Sequence, residues 1–210
     1  MRYEPLSPER MIEHLADAIA ERATDDARVR VGIDGPPAAA PGSLARSLVG
    51  PLRLRGLAAF LVEAADFVRP ASIRYELGRT NPDAFYDTWF DLSALRREVL
   101  DPAGPGGTGK ILETFWDPVR DRATRAPYTE LPERAVVLLS GPLLLGAGLP
   151  LEYTVHLVLT PPALERRTPP EERWTLPAYA RYAEEVDPTL FADAVIRYDH
   201  PTRPALRVDH

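Results

Sequence analysis

The chain has 210 residues, 45% of them hydrophobic and 27% charged, with 13 Gly, 23 Pro and no Cys. That size and apolar content suit a single domain over 1–210 with a sizeable core, and they exclude collagen, coiled-coil and disulfide-scaffold architectures. A formal net charge of −6 at pH 7 speaks against nucleic acid or an anionic membrane as the main partner, because either demands a basic face.

No apolar run reaches the length of a membrane span, and the N-terminal MRYEPLSPER is polar, so neither a span nor a signal peptide is expected. The chain reads as soluble and cytoplasmic, with a small molecule as its partner. Without cysteine there is no thiol chemistry, and His14, His156, His200 and His210 show no metal-ligand spacing, so no metal site is expected. Among the 25 Lys and Arg residues only Lys110 is a lysine, which leaves one candidate for chemistry that needs a flexible ammonium group.

In chain order, residues 7–23 predict an amphipathic helix: Ser7 suits the N-cap, Pro8 the first turn, and Met11, Ile12, Leu15, Ala18 and Ile19 share a face. The charged TDDAR ends it. VRVGID (29–34) alternates like a strand, passes into the loop GPPAAAPG, and continues as SLARSLVGPLRLRG, apolar at Leu44, Leu48 and Leu52. LAAFLVEA (57–64) suits a buried strand. A long aromatic and charged stretch follows and ends in a helical pattern at Leu92, Leu95 and Val99. DPAGPGGTGK is a glycine-rich turn, and the Pro-rich, charged segment after it reads as an irregular or hairpin excursion, 103–134 in all. AVVLLSG and YTVHLVLT are two further strands, ERRTPPEERWTLPAYARYAEEV holds a second arginine cluster, and ADAVIRYD is a last short strand before a Pro-rich tail. Apolar strands separated by helical segments predict a parallel α/β sheet covered on both faces.

A phosphate-binding loop, Gly-x-x-x-x-Gly-Lys followed by Ser or Thr, cradles phosphates with backbone N–H groups, neutralises them with lysine and holds magnesium through the hydroxyl. The loop after Asp34 keeps this spacing from Gly35 but not its chemistry. Ala40 stands for the second glycine, Pro41 for the lysine and Gly42 for the hydroxyl, with Ser43 one residue late. Proline also removes one of the N–H groups. Gly104–Lys110 matches the spacing better, yet a helical segment precedes it and a strand-like one follows, the reverse of the setting the motif requires.

The succession VRVGIDGPPAAAPGSLA, ADFVRPASIRYELGRTNPDAFYDTWFDLSALRREVLDPAGPGG, VVLLSGPLL and YAEEVDPTLFADAVIRYD resembles the uridine kinase-like family of P-loop kinases, particularly its actinobacterial branch, over residues 29–200. The resemblance implies a three-layer α/β P-loop kinase-like domain, a mostly parallel sheet of about five strands and a small lid at 163–182. It also implies three losses. The phosphate loop has no lysine, Ala65 stands where the family has the aspartate that activates the substrate hydroxyl, and Ser140 stands where it has a magnesium-assisting acid. These fall on the three functions phosphoryl transfer needs, so neither ATP nor magnesium is expected as a cofactor.

The acceptor side fares better. Arg69, Arg74, Tyr75, Arg79, Tyr86, Asp87, Asp91 and Trp116 fall in or beside the part that resembles the family's substrate-binding region, and arginine planes with tyrosines suit a polar ring or a carboxylate. Asp66, Tyr75, Glu113 and Lys110 are the candidates for acid/base or electrostatic work. Arg166, Arg167 and Arg173 resemble lid arginines. The bland readings are a solvated ion-paired surface for the arginines, packing for Trp89, Trp116 and Trp174, and a satisfied strand histidine for His156. The resulting expectation is a catalytically altered kinase-like protein that keeps a small-molecule pocket, repurposed as a nucleotide-independent enzyme of specialised biosynthesis. The alternatives are a noncatalytic pseudokinase that binds a nucleoside-like ligand or a protein, and a weak kinase that uses Asp66 as a shifted base and Ser43 as a shifted metal ligand. A homodimer is compatible with any of them.

Overall fold

Alternate residues of the strand Ala135–Gly141 enter two different cores, Val136 and Leu138 on one side, Val137 and Leu139 on the other. A strand buried on both faces needs helices or loops above and below it, and the chain supplies both. The structure, a computed structural model, describes residues 2–23 and 28–208; most of the TDDAR turn, and His210, lie outside the described residues. The elements are β1 (Arg2–Pro5), α1 (Pro8–Arg22), β2 (Val29–Asp34), α2 (Pro41–Leu54), β3 (Ala58–Glu63), α3 (Ala71–Arg74), α4 (Pro82–Asp87), α5 (Leu92–Leu95) and α6 (Asp101–Ala103). The two-residue strands β4 (Lys110–Ile111), β5 (Trp116–Asp117), β6 (Arg122–Ala123) and β7 (Thr129–Glu130) follow. Then come β8 (Ala135–Gly141), β9 (Tyr153–Val158), α7 (Pro161–Arg167), α8 (Leu176–Glu185), α9 (Pro188–Phe191), β10 (Ala194–Arg197) and β11 (Ala205–Val208).

The central sheet runs β1-β11-β10-β9-β2-β8-β3. From β10 to β3 every pairing is parallel, which accounts for the five expected strands. The sheet nevertheless has seven. β11 adds antiparallel to β10, and β1 antiparallel to β11. Both additions are four-residue strands, β11 partly and β1 largely exposed, so neither carries the continuous apolar run that marks a buried strand. The stretch after Lys110, expected to be strand-like, forms only the two short pairs β4–β7 and β5–β6.

Helices α1 and α2 cover one face, with Met11, Leu15, Ile19, Leu44, Leu48 and Leu52 buried against Val31, Ile33 and Val155. Ser7 caps α1, its hydroxyl accepting the Arg10 N–H at 3.3 Å, with Pro8 in the first turn. The other face is covered by Phe67, Leu95, Val99, Leu100 and Ile111. Beneath the region expected as a lid, a third cluster joins Phe85, Leu143, Leu145, Ala178, Tyr182 and Val195. α8 thus packs down onto the carboxyl-terminal end of the sheet, where an open parallel α/β sheet places its ligand crevice.

Candidate functional site

Strand register assembles the site. Asp34, the last residue of β2, stands opposite Gly141 of β8 and His156 of β9, while Glu63, the last residue of β3, stands opposite Ser140. Four strands therefore bring Glu63 and Ser140 to one row and Asp34 and His156 to the next at the sheet's carboxyl edge. Neither Glu63 nor a pairing of Asp34 with His156 is evident from sequence spacing.

The loop after β2 keeps the backbone of a phosphate-binding loop without its groups. Pro37–Ala39 make one 3-10 turn, Ala40 is left-handed at φ 54° and ψ 53°, and α2 starts at Pro41. Left-handed backbone is what glycine supplies without steric cost and alanine does not. The cavity of about 320 Å3 at this loop is lined by Pro37, Ala40, Ser43, Arg46, Glu63 and Ser140, among others. In it the Arg46 guanidinium donates to Glu63 at 2.7 Å and reaches the Ser43 hydroxyl at 3.4 Å. A Cβ built on Gly42 would lie 2.9 Å from the Glu63 carboxylate oxygen. A carboxylate thus stands against the first turn of α2, where an incoming phosphate would need positive charge. Pro41 offers no N–H there. These donors do not fit a nucleotide triphosphate with its magnesium, and among the described residues no group of three His, Asp or Glu side chains could hold a metal ion.

Asp66 follows β3 in a 3-10 turn. Its carboxyl is held above the usual range, first by burial and second by the charge of Glu63. Among the described residues no hydrogen bond or ion pair joins Asp66, Tyr75, Glu113 and Lys110 to one another. Glu113 accepts from the Thr129 hydroxyl at 2.6 Å, and Lys110 is exposed on β4.

The acceptor-side residues are largely engaged with each other. Arg74 is buried; its Nε donates to the Arg69 carbonyl at 2.6 Å, another nitrogen lies 3.2 Å from the Tyr75 hydroxyl, and the guanidinium covers the rings of Tyr75 and Trp89. Arg79 lies over Tyr75 from outside. Asp121 ties the excursion to this region by accepting from the Ala71 N–H at 2.8 Å and from Trp116 at 3.1 Å. Tyr86 donates to Glu185, Arg181 covers its ring at 4.2 Å, and Asp87 accepts from Arg181 at 3.0 Å, so α4 is bridged to α8. Asp91 caps α5 by accepting the Ala94 N–H. Trp89 and Trp174 pack on each other and on Phe85. Of the lid arginines, Arg167 donates to the Tyr198 carbonyl at 2.8 Å, Arg173 lies 3.5 Å from the Thr168 carbonyl, and Arg166 is exposed.

Behind the loop is a buried polar cluster. Asp34 has no exposed surface; one carboxylate oxygen accepts the Leu144 N–H at 2.9 Å, and the other lies 2.7 Å from His156 Nδ1 and accepts from the Tyr182 hydroxyl at 3.2 Å. Tyr182 in turn accepts the Leu145 N–H at 2.9 Å. Burial, then the charge of Asp34, pushes both Tyr179 and Tyr182 far up, so each phenol stays protonated. A cavity of about 80 Å3 adjoins the cluster, lined by Gly35, Pro36, Leu143, His156, Leu157 and Tyr179 among others.

No family model and no curated protein matches the chain. Among solved structures, one described as a possible uridine kinase from Bacillus stearothermophilus superposes with a TM-score of 0.71 at 19% identity, covering 89% of this chain and 97% of that one. A protein assigned as a fructose transport system kinase from Silicibacter sp. TM1040 gives 0.58 at 20% identity, covering 81% and 87%. At these identities the likeness establishes the fold, a P-loop kinase-like α/β domain.

Proposed function

We propose that this chain carries out no ATP-dependent phosphoryl transfer and instead handles a small molecule without a nucleotide, as a repurposed enzyme on a kinase fold. One observation carries the reading: the Glu63 carboxylate, paired with Arg46, stands against the first turn of α2. A phosphate loop works by concentrating positive potential and free N–H groups at that turn. Here a triphosphate meets a carboxylate already paired with Arg46, a proline and no lysine. The cluster of Asp34, His156 and Tyr182 supports the enzyme half of the reading, since a histidine oriented by a buried carboxylate is an arrangement suited to acid/base work.

The test is thermal unfolding with and without magnesium and ATP. A nucleotide at a hundredfold excess over its Kd stabilises a native state by about 2.7 kcal/mol, or roughly 5–11 °C for a domain of this length. The expected shift is under about 1 °C at millimolar ATP. A magnesium-dependent rise of several degrees sinks the reading and returns the chain to the working kinases.

A further inference from the structure

We infer that the cavity behind the loop is a binding site for a small uncharged alkylphenol-like molecule, held through its hydroxyl by His156 Nε2 with its apolar tail between α7 and α8. The inference rests on the nucleotide-independent reading and names the ligand class for it.

His156 is 6% exposed, and its Nδ1 is taken by Asp34. Its other nitrogen has no hydrogen-bond partner among the described residues, yet no fully buried side-chain nitrogen or oxygen there lacks one. Nε2 is therefore reached from the cavity that His156 lines. A carboxylate that already accepts from Leu144 and Tyr182 presents an acceptor to Nδ1, so in the neutral ring the proton sits on Nδ1 and Nε2 is an acceptor. An acceptor in an apolar cavity selects a ligand with a hydroxyl donor, since a buried polar atom needs its partner.

Charge selects further. No Lys or Arg lines the cavity, and Asp34 is beside it, so an anionic head group would be buried next to a carboxylate with no cation to offset it. Phosphates and carboxylates are excluded on this ground. An apolar cavity that takes up benzene measures about 150 Å3, so the roughly 80 Å3 beside His156 receives the hydroxyl end of the ring and the adjoining groove the rest. The cavity continues into a groove of about 410 Å3 between α7 and α8, the two sharing Leu159, Leu164, Tyr179 and Ala183. That groove is lined mainly by Leu, Pro and Ala, which suits an alkyl tail.

The test is calorimetric titration of the full chain with phenol, 4-ethylphenol and 4-n-butylphenol against ethylbenzene, together with the 15N spectrum of histidine-labelled protein. 4-Ethylphenol is expected to bind about tenfold more tightly than ethylbenzene, the worth of one buried hydrogen bond. Affinity is expected to rise about fourfold per methylene along the phenol series. The unprotonated-nitrogen resonance of one histidine should move with the phenols alone, and it should be missing in His156→Gln. Should that variant fail to fold, Ala183→Trp, at an exposed position on the groove, is expected to abolish binding while the unfolding temperature holds. Equal affinity for 4-ethylphenol and ethylbenzene, no binding by any phenol, or binding that leaves every histidine resonance unmoved overturns the site. The magnesium-ATP titration reads the parent proposal separately: absent phenol binding with no ATP response defeats this site alone.

Discussion

Arg74 separates a strut from a ligand contact, and its replacement has a magnitude that can be worked out beforehand. The guanidinium is buried, donates to the Arg69 carbonyl at 2.6 Å, lies 3.2 Å from the Tyr75 hydroxyl, and covers two aromatic rings at 4.9 and 5.2 Å. Arg74→Ala strands a partly buried carbonyl, costing about 1–3 kcal/mol, and forfeits two ring contacts worth about 0.5–1 kcal/mol each. Truncating the side chain also leaves a void, so the total comes to about 3–5 kcal/mol. An unfolding entropy of about 2.1 cal/mol/K per residue over 210 residues gives a fall in Tm of about 7–11 °C, read by far-UV circular dichroism. Arg74→Lys keeps the charge and the stem but not the planar fork, and should fall about half as far. Arg79 is exposed and contacts Tyr75 from outside, so Arg79→Ala should move Tm by no more than about 1–2 °C. If Arg74→Ala unfolds within about 1 °C of the wild type, the guanidinium is not holding this region together and belongs instead to a binding surface.

Two further outcomes follow from carboxylates, Asp66 half-buried and Asp34 fully buried. Asp66 has a carboxyl raised above its unfolded value of 3.8 by burial and by Glu63, so its ionisation opposes folding at neutral pH; as pH falls through the raised folded value the native state takes up the proton and the penalty fades, vanishing below 3.8. Asp66→Asn should therefore raise Tm at pH 7 and lose that advantage in acid, as followed by thermal melts across the pH range, whereas an advantage independent of pH would show that charge is not the cause. Asp34→Asn keeps an oxygen for the Leu144 N–H but turns an amide donor toward His156, which moves the ring proton to Nε2; the preference for 4-ethylphenol over its methyl ether, 4-ethylanisole, should collapse from about tenfold to near parity, and an unchanged preference in calorimetry would show that Asp34 does not set the tautomer.

How much could be read from the sequence depended on whether a residue's role was local. The runs 29–34, 135–141 and 153–158 are apolar enough to be strands wherever they fall, and Ser7 with Pro8 starts α1 by its own chemistry. β1 and β11 were not legible, because four exposed or half-buried residues become a strand only when a neighbouring strand is offered to them. His156 was readable as a strand histidine. Its partner was not, since Asp34 lies 122 residues away in the chain and meets it only through the β2–β9 register. Glu63 left a signal that could have been used: a carboxylate closing an apolar run marks the ligand end of a parallel strand. The arginines of 69–79 show the opposite limit. Their type suits a ligand, but only the fold turns Arg74 inward onto Tyr75 and Trp89 and leaves Arg79 outside.

Two carboxylates share the edge where a kinase would gather positive charge, and each has its own cation or donor set: Glu63 has Arg46, and Asp34 has His156, Leu144 and Tyr182. Like charges about 4 Å apart repel by about 4 kcal/mol at an effective dielectric near 20, and pairing with Arg46 reduces what Glu63 contributes to the negative potential of this edge. Yet the loop has kept its shape, with Ala40 held left-handed, at a cost of about 1–2 kcal/mol. Strain of that kind persists only where surrounding structure fixes it. Here the loop forms walls on both sides: Gly35 and Pro36 face the cavity beside His156, and Pro37 with Ala40 to Ser43 face the cavity beside Glu63. A Cβ at Gly35 would lie 3.0 Å from Leu157, so the loop sits tight against β9. The loop is therefore a partition between two cavities, and its left-handed alanine is part of that wall.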